Sequence, residues 1–367
     1  MKIIILKLLM PMLIALSTNC SKPANTNASF QQADKLSGTR GTIMPMGANP
    51  ALDPRTDALL RFIQNLKNQP GKRILAGQNS NISNKTQYKL GDDQIIHPFA
   101  QATGKYPAIV GSDFNDIDNW NYHSPYLKDL NKQHGCVIEI CGGLNNPGIT
   151  SGSDLSALLP GGSLRTQWVT RMDSMAAKLA YFQTNGVSIL YRPFHEMNGS
   201  WCWYYTTNYA NFRALWADLF NYFTATKKLN NLIWIYAPNN NVVGDGAYTN
   251  YYPGTGYADI VGADVYDDNM IINDYSVLRT LAKPILLTEF GTGHGVRGNS
   301  DPNLNGNFDY NLLAEKIRTT YPNVVGWLCW HDWNNTTLGW IYKSMYKNNY
   351  SNLFNHSWMA WANDLNF

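Results

Sequence analysis

The chain has 367 residues and a formal net charge of +3; 44% of its positions are hydrophobic and only 15% are charged. That is enough apolar sequence for a large core, and no Lys/Arg-rich run offers the basic footprint of a nucleic-acid binder. Single-stranded nucleic-acid binders also use aromatic rings, but within a basic groove; 12 Trp and 22 Tyr without such a groove suit a neutral, hydroxyl-rich ligand.

Lys2 and Lys7 precede an apolar run over residues 8–16, which is too short to span a bilayer and reads as a signal peptide. It leads into Ser17-Thr18-Asn19-Cys20. A cysteine directly after such a run resembles a bacterial lipobox, although Asn19 is an imperfect match. Cleavage there would leave a lipid on Cys20 and anchor the protein in the cell envelope, periplasmic or on the outer surface. The alternative is an ordinary secretory signal with a chance cysteine. Residues 1–20 are therefore read as the signal, 21–50 (rich in Asn, Thr, Ser and Gly) as a flexible tether, and 51–367 as one folded domain. Membrane contact is expected only through Cys20, and the domain is expected to be a monomer.

A helix is predicted over residues 53–69, with Asp53 as N-cap and Pro54 at its first position. Strand-like apolar runs then recur at 74–78, 106–113, 135–143, 188–196, 231–239, 258–266, 284–291 and 324–332. Helical patterns separate most of them, at 164–184, 210–229, 275–282 and 311–320, and a closing helix is predicted over 349–365. The link from Asn239 to Ala258 is Asn/Gly/Tyr-rich and reads as loop. Eight short strands alternating with helices predict an α/β fold, a single (β/α)8 TIM barrel. Cys136 and Cys141 would point to opposite faces of one strand, so buried free thiols are expected.

In such barrels chemistry sits where the strands end. The predicted tips are Gln78, Asp113, Gly143, Glu196, Asn239, Tyr266, Glu289 and Trp330. The loops that follow at 144–163, 240–257 and 292–307 are long enough to be functional. Residues 188–205, SILYRPFHEMNGSWCWYY, place Glu196 at a strand end with Trp201, Trp203, Tyr204 and Tyr205 close behind. Glu289 ends a second apolar strand, KPILLTEFG. Two carboxylates at strand tips can share acid, base and nucleophile work on a glycosidic bond, while flat rings stack on sugar faces.

His195 beside Glu196 raises a metal reading, but HEMNG is not HExxH and no other ligand cluster is apparent. Neither a metal nor a cofactor is expected. Glu196 could instead pair structurally with Arg192, four residues away on a shared strand face. Trp203 and Trp333 are open between core and site. Asp113 is expected behind the site and Asp332 in a cap or loop contact.

The string RPFHEMNGSWCW resembles glycoside hydrolase family 26, best known for endo-β-1,4-mannanases. LLTEFG, VGADVYD, Asn145-Asn146-Pro147 and a tryptophan near the end of the eighth strand fit the same pattern. The resemblance runs from about residue 74 to the C-terminus. It implies Glu196 as acid/base and Glu289 as nucleophile of a retaining endo-hydrolase acting on β-mannan or a related polysaccharide. It also implies His195, Trp201 and Tyr266 around the sugar, Arg192 bonded into the carboxylate pair and Trp330 as floor. One departure is visible: where the family usually has a histidine shortly before Asn-Asn-Pro, this chain has Gly143. The alternatives are a related β-glucanase or β-1,3-xylanase and, from another class, a non-catalytic glycan-binding lipoprotein.

Overall fold

In a computed structural model, residues 47–80, 95–114, 120–240, 248–273, 275–292, 308–335, 339–341, 343–345 and 350–367 are described. The signal, Cys20, most of the expected tether and the greater part of loop 292–307 lie outside them. The chain divides into units Met1–Ile43 and Met44–Phe367, and every described residue belongs to the second.

Helix α1 (Pro54–Asn65) starts as its sequence dictates: the Asp53 side chain accepts from Thr56 N at 2.8 Å and Pro54 follows. The barrel strands are β1 (Ile74–Asn79), β2 (Ile109–Asp113), β3 (Val137–Cys141), β4 (Ile189–Arg192), β5 (Leu232–Tyr236), β6 (Ile260–Tyr266), β7 (Ile285–Gly291) and β8 (Val324–Cys329). Each pairs in parallel with the next, and β1 pairs with β8 to close the cylinder. The expected (β/α)8 barrel is therefore present. Helices α2 (Ile96–Thr103), α3 (Trp120–His134), α4 (Arg165–Thr184), α5 (Tyr209–Asn221), α6 (Tyr275–Thr280) and α7 (Tyr310–Thr320) connect strands. None joins β5 to β6 among the described residues.

The strands alternate as the pleat requires. Leu75, Ile109, Val137, Leu190, Ile233 and Leu286 belong to one buried cluster, together with Leu59, Leu60 and Ile63 of α1. Ile74, Val110, Ile138, Tyr191, Trp234 and Leu287 belong to another, packed with the surrounding helices. The first cluster fills the barrel. Asp53 N donates to the Asn230 carbonyl just ahead of β5, so α1 covers the end where strands begin. The other end is left for chemistry.

Three expectations need correction. Helices α2 and α3 escape the apolar pattern; α3 carries Pro125 inside it, which breaks the usual helical signal. The closing helix over 349–365 does not form. Only α8 (Tyr350–Asn355) is α-helical there, with one 3-10 turn at Ala362–Asp364; after β9 (Trp333–Asn335) and β10 (Gly339–Ile341), which make a small hairpin ahead of α8, the last strand is β11 (Met359–Ala360), parallel to β1. Ile74 N donates to Trp358 O at 2.8 Å, and Trp361 stacks on Phe354 at 4.2 Å. These backbone bonds and the aromatic packing outweigh helix propensity there. Finally, β4 stops at Arg192, so Arg192 and Glu196 do not share a strand face. Cys136, Cys141, Cys202 and Cys329 are buried free thiols.

Candidate active site

Beyond Arg192 the chain turns at Pro193 and runs through a tight loop. Glu196 adopts φ 50°, a left-handed conformation uncommon for a side chain of its size. Its N–H donates to Ala237 O at 2.8 Å, which ties the turn to β5. Asn198 and Asn239 exchange two bonds: Asn198 Nδ2 donates to Asn239 O at 2.9 Å, and Asn239 N donates to Asn198 Oδ1 at 2.8 Å. Gly199 is required by close approach, because a Cβ there would lie 2.3 Å from the Trp201 ring. The β3–α4 loop braces this turn. Ser151 Oγ donates to Ser200 O at 2.6 Å, and Trp203 Nε1 donates to Leu144 O at 2.9 Å. Trp203 meets Trp168 and Phe194 edge-on, so it belongs with the core. The side chain of Trp333 lies outside the described residues.

Glu196 accepts from Asn239 Nδ2 at 2.5 Å on one oxygen and from Trp201 Nε1 at 2.7 Å on the other. Trp201 is 61% exposed, so its ring is open to a ligand while its N–H serves the carboxylate. Burial, then the charge of Glu289, pushes the Glu196 carboxyl up to about 7. The bland pairing with Arg192 is not made.

Glu289 lies within β7 and is buried. Arg192 Nη1 donates to its Oε1 at 2.9 Å, and the Tyr266 hydroxyl donates to its Oε2 at 2.7 Å. Arg192 is fully buried and also binds Glu139 through Nε and Asp264 through Nη1, each at 2.9 Å. Thr288 Oγ1 donates to the other Asp264 oxygen at 2.6 Å. Oxygens of Glu196, Asp264 and Glu289 lie within 4.8 Å of one another. All six carboxylate oxygens of these three residues are met by protein donors.

His195 accompanies the pair: one of its ring nitrogens lies within 4.8 Å of a Glu289 oxygen, and Tyr204 binds both its Nδ1 and its carbonyl. Burial, helped by the Arg192 charge, lowers its pKa to about 4, so it is a neutral ring at physiological pH. Trp330 follows β8, with its N–H on Phe290 O at 2.8 Å and its ring stacked 4.9 Å from His331. Gln78 Nε2 donates to the Trp330 carbonyl at 3.1 Å. Asp332 is buried under backbone donors, Lys343 N at 2.6 Å and Ser344 N at 2.7 Å, so it shapes a loop. Gly143 sits at φ 84°, where a Cβ would lie 2.4 Å from Met175 Sδ. The family histidine is thus absent from a place this packing closes to any side chain.

The structure adds Glu139, Asp264 and His331 to the residues singled out from sequence, and gives Asn239 and Tyr204, named there as a strand tip and a neighbouring ring, their partners in Glu196 and His195. A signal existed for two of them: VIEIC and VGADVYD each place a carboxylate inside an apolar strand, and a buried charge demands a partner.

The chain has relatives among known proteins. The sequence pattern of glycosyl hydrolase family 26 matches residues 48–364. A mannan endo-1,4-beta-mannosidase of Bacillus subtilis (strain 168) is 30% identical over 320 residues, which is 79% of this chain and 83% of that protein. "Mannan endo-1,4-beta-mannosidase A and B" of Caldalkalibacillus mannanilyticus is 30% identical over 87% of this chain; the alignment spans 63% of that longer protein. A solved Bacillus subtilis mannanase superposes with a TM-score of 0.71 at 27% identity, covering 86% of this chain and 94% of that one.

Proposed function

The chain belongs to glycosyl hydrolase family 26, and from that premise we propose an endo-acting β-1,4-mannanase that cleaves mannan-type polysaccharide with retention at the anomeric carbon. The observation that carries the reading is the pair Glu196 and Glu289, with oxygens within 4.8 Å and unlike surroundings. Retaining glycosidases keep their carboxyl groups about 5–5.5 Å apart, whereas inverting ones leave about 6.5–9.5 Å for a water. Named relatives that act on mannan support the substrate.

In the first step the Glu289 carboxylate, oriented by Arg192 and Tyr266, attacks the anomeric carbon. Glu196 gives its proton to the departing glycosidic oxygen, the C–O bond breaks and a glycosyl ester forms on Glu289. Ester formation removes the negative charge that helped hold the proton on Glu196. Its proton affinity then falls, and Glu196 enters the second step as a carboxylate. It takes a proton from water, whose oxygen attacks the anomeric carbon and releases Glu289. Trp201 and Trp330 offer ring faces to the sugars on either side.

Proton NMR of the first product anomer from β-mannan, with viscosity followed in parallel, tests this reading. A β-anomer formed first, with viscosity falling faster than reducing ends rise, is expected. An α-anomer first contradicts retention. Sugar release only from mixed-linkage glucan or β-1,3-xylan contradicts the substrate, and binding to mannan without release contradicts catalysis. The same proposal places a monomer in the cell envelope on a lipid at Cys20. Labelled palmitate should enter the wild type and not Cys20→Ala; equal labelling of both removes the anchor.

A further inference from the structure

Inside the barrel, one guanidinium faces three carboxylates. Glu139, Asp264 and Glu289 each place one oxygen 2.9 Å from Arg192, Glu139 on Nε and the other two on Nη1. Asp264 and Glu289 also satisfy their second oxygens, from Thr288 at 2.6 Å and Tyr266 at 2.7 Å. Glu139 does not. Its Oε2 is buried and has no hydrogen-bond partner among the described residues. It lies against Gly111 of β2, where a Cβ would come within 3.1 Å of it and within 2.4 Å of Leu328 Cδ2. The β2 backbone at Gly111 and the Leu328 side chain thus lie close to Oε2, and Nη2 of Arg192 is likewise buried with no hydrogen-bond partner among the described residues.

An ionised oxygen held there carries a desolvation cost that no hydrogen bond to that oxygen offsets, and only the nearby charge of Arg192 opposes it. Full ionisation of all three carboxylates would also leave two uncompensated negative charges around one buried cation. A proton on Oε2 of Glu139 relieves both costs. It leaves the other oxygen free to accept from Arg192, as a neutral carbonyl. Burial raises the Asp264 carboxyl well above its usual range as well, but both its oxygens already receive donors, from Arg192 and Thr288, so the geometry favours Glu139 as the holder of the proton.

We propose that Glu139 is a positioning residue that works in its neutral, protonated form, its carbonyl oxygen fixing the plane of Arg192 while the guanidinium charge is left to Asp264 and Glu289. The inference rests on Glu289 being the nucleophile. The groups facing Glu139 agree with it. Burial pushes its carboxyl up to about 7 against the opposing pull of Arg192 on β4, with Glu289 on β7 and Asp113 on β2 adding to the rise. The Cys141 thiol, two residues along β3, is held well above its ordinary range by burial and stays neutral.

Infrared difference spectra between wild type and Glu139→Gln, taken at about pH 6, read the proton without using activity. A protonated-carboxyl carbonyl band present in the wild type and lost in the variant is expected. Glu139→Gln keeps an acceptor for Nε at no charge, so its kcat/KM on mannan should stay within about threefold of wild type. Glu139→Ala frees Arg192, and kcat should fall by about 10–100-fold with KM little changed. If Glu139→Ala does not fold, the Gln variant carries the test alone. No band difference, or a Gln variant with kcat/KM down by about tenfold or more, overturns the proposal. An active Glu289→Ala enzyme, by contrast, would remove the nucleophile assignment and leave the infrared result standing.

Discussion

The turn after β4 and the end of β7 each present one glutamate to the barrel mouth, and they hold it by different means. Glu289 sits in β7 where the strand's register shifts against β6 and β8, with a buried guanidinium on one oxygen and a phenol on the other. Glu196 sits in a turn at φ 50°, and its oxygens receive neutral donors among the described residues, an amide and an indole. A guanidinium and a phenol orient the Glu289 carboxylate, while burial beside that second carboxylate makes Glu196 hold its proton. The same side chain is thereby suited to attack in one place and to proton transfer in the other.

The largest effect should come from emptying the β7 position. Glu289→Ala should lower kcat on mannan by about four orders of magnitude or more, because no group remains to form the glycosyl ester. Retention of near-native rate would show that the cation-clamped glutamate has no chemical role. Emptying the β4 position should cost less and depend on the leaving group. Glu196→Ala should lose about 10²–10⁴-fold on polymer. On an aryl mannoside with a good leaving group it should show a burst of aryl release followed by a slow phase. Equal losses on both substrates would argue against proton donation.

A smaller change sharpens the comparison at the indole. Trp201→Phe removes a hydrogen bond that favours the charged form of Glu196, so the proton should be held to higher pH. The wild-type kcat/KM should decline as pH rises through about 7, and the variant's decline should move upward, with a loss of about tenfold or less at neutral pH. An unmoved or downward limb would separate Trp201 from the titration. The mildest prediction concerns the loop that follows β3, the strand beside β4. Gly143→Ala forces a Cβ toward Met175 at positive φ and should cost about 1–3 kcal/mol in urea unfolding. An unchanged midpoint would mean that the packing yields freely.

Much of this was legible in sequence because strand interiors leave an apolar trace and strand ends break it. The eight runs became the eight strands, and both glutamates lay near those breaks, Glu196 in the turn past β4 and Glu289 two residues inside the end of β7. What the sequence hid is long-range. Arg192 reaches Glu139 and Asp264 across 53 and 72 residues, whereas linear proximity suggested Glu196. The suggestion failed because β4 ends at Arg192 and Pro193 begins a turn. The C-terminus misled for a similar reason: backbone bonds with β1 turn residues 359–360 into strand, and that partner lies nearly 300 residues earlier. No local pattern announces either.

The central claim, that environment gives Glu289 the nucleophile's role and Glu196 the proton's, is tested most directly by the configuration of azide products. With an activated β-mannoside, Glu196→Ala forms the ester on Glu289 and stalls. Azide should then attack from the face opposite the ester and release β-mannosyl azide. With Glu289→Ala, azide can enter only the vacated nucleophile position and should give the α-azide. Opposite configurations in the two variants would exchange the two roles and contradict the account.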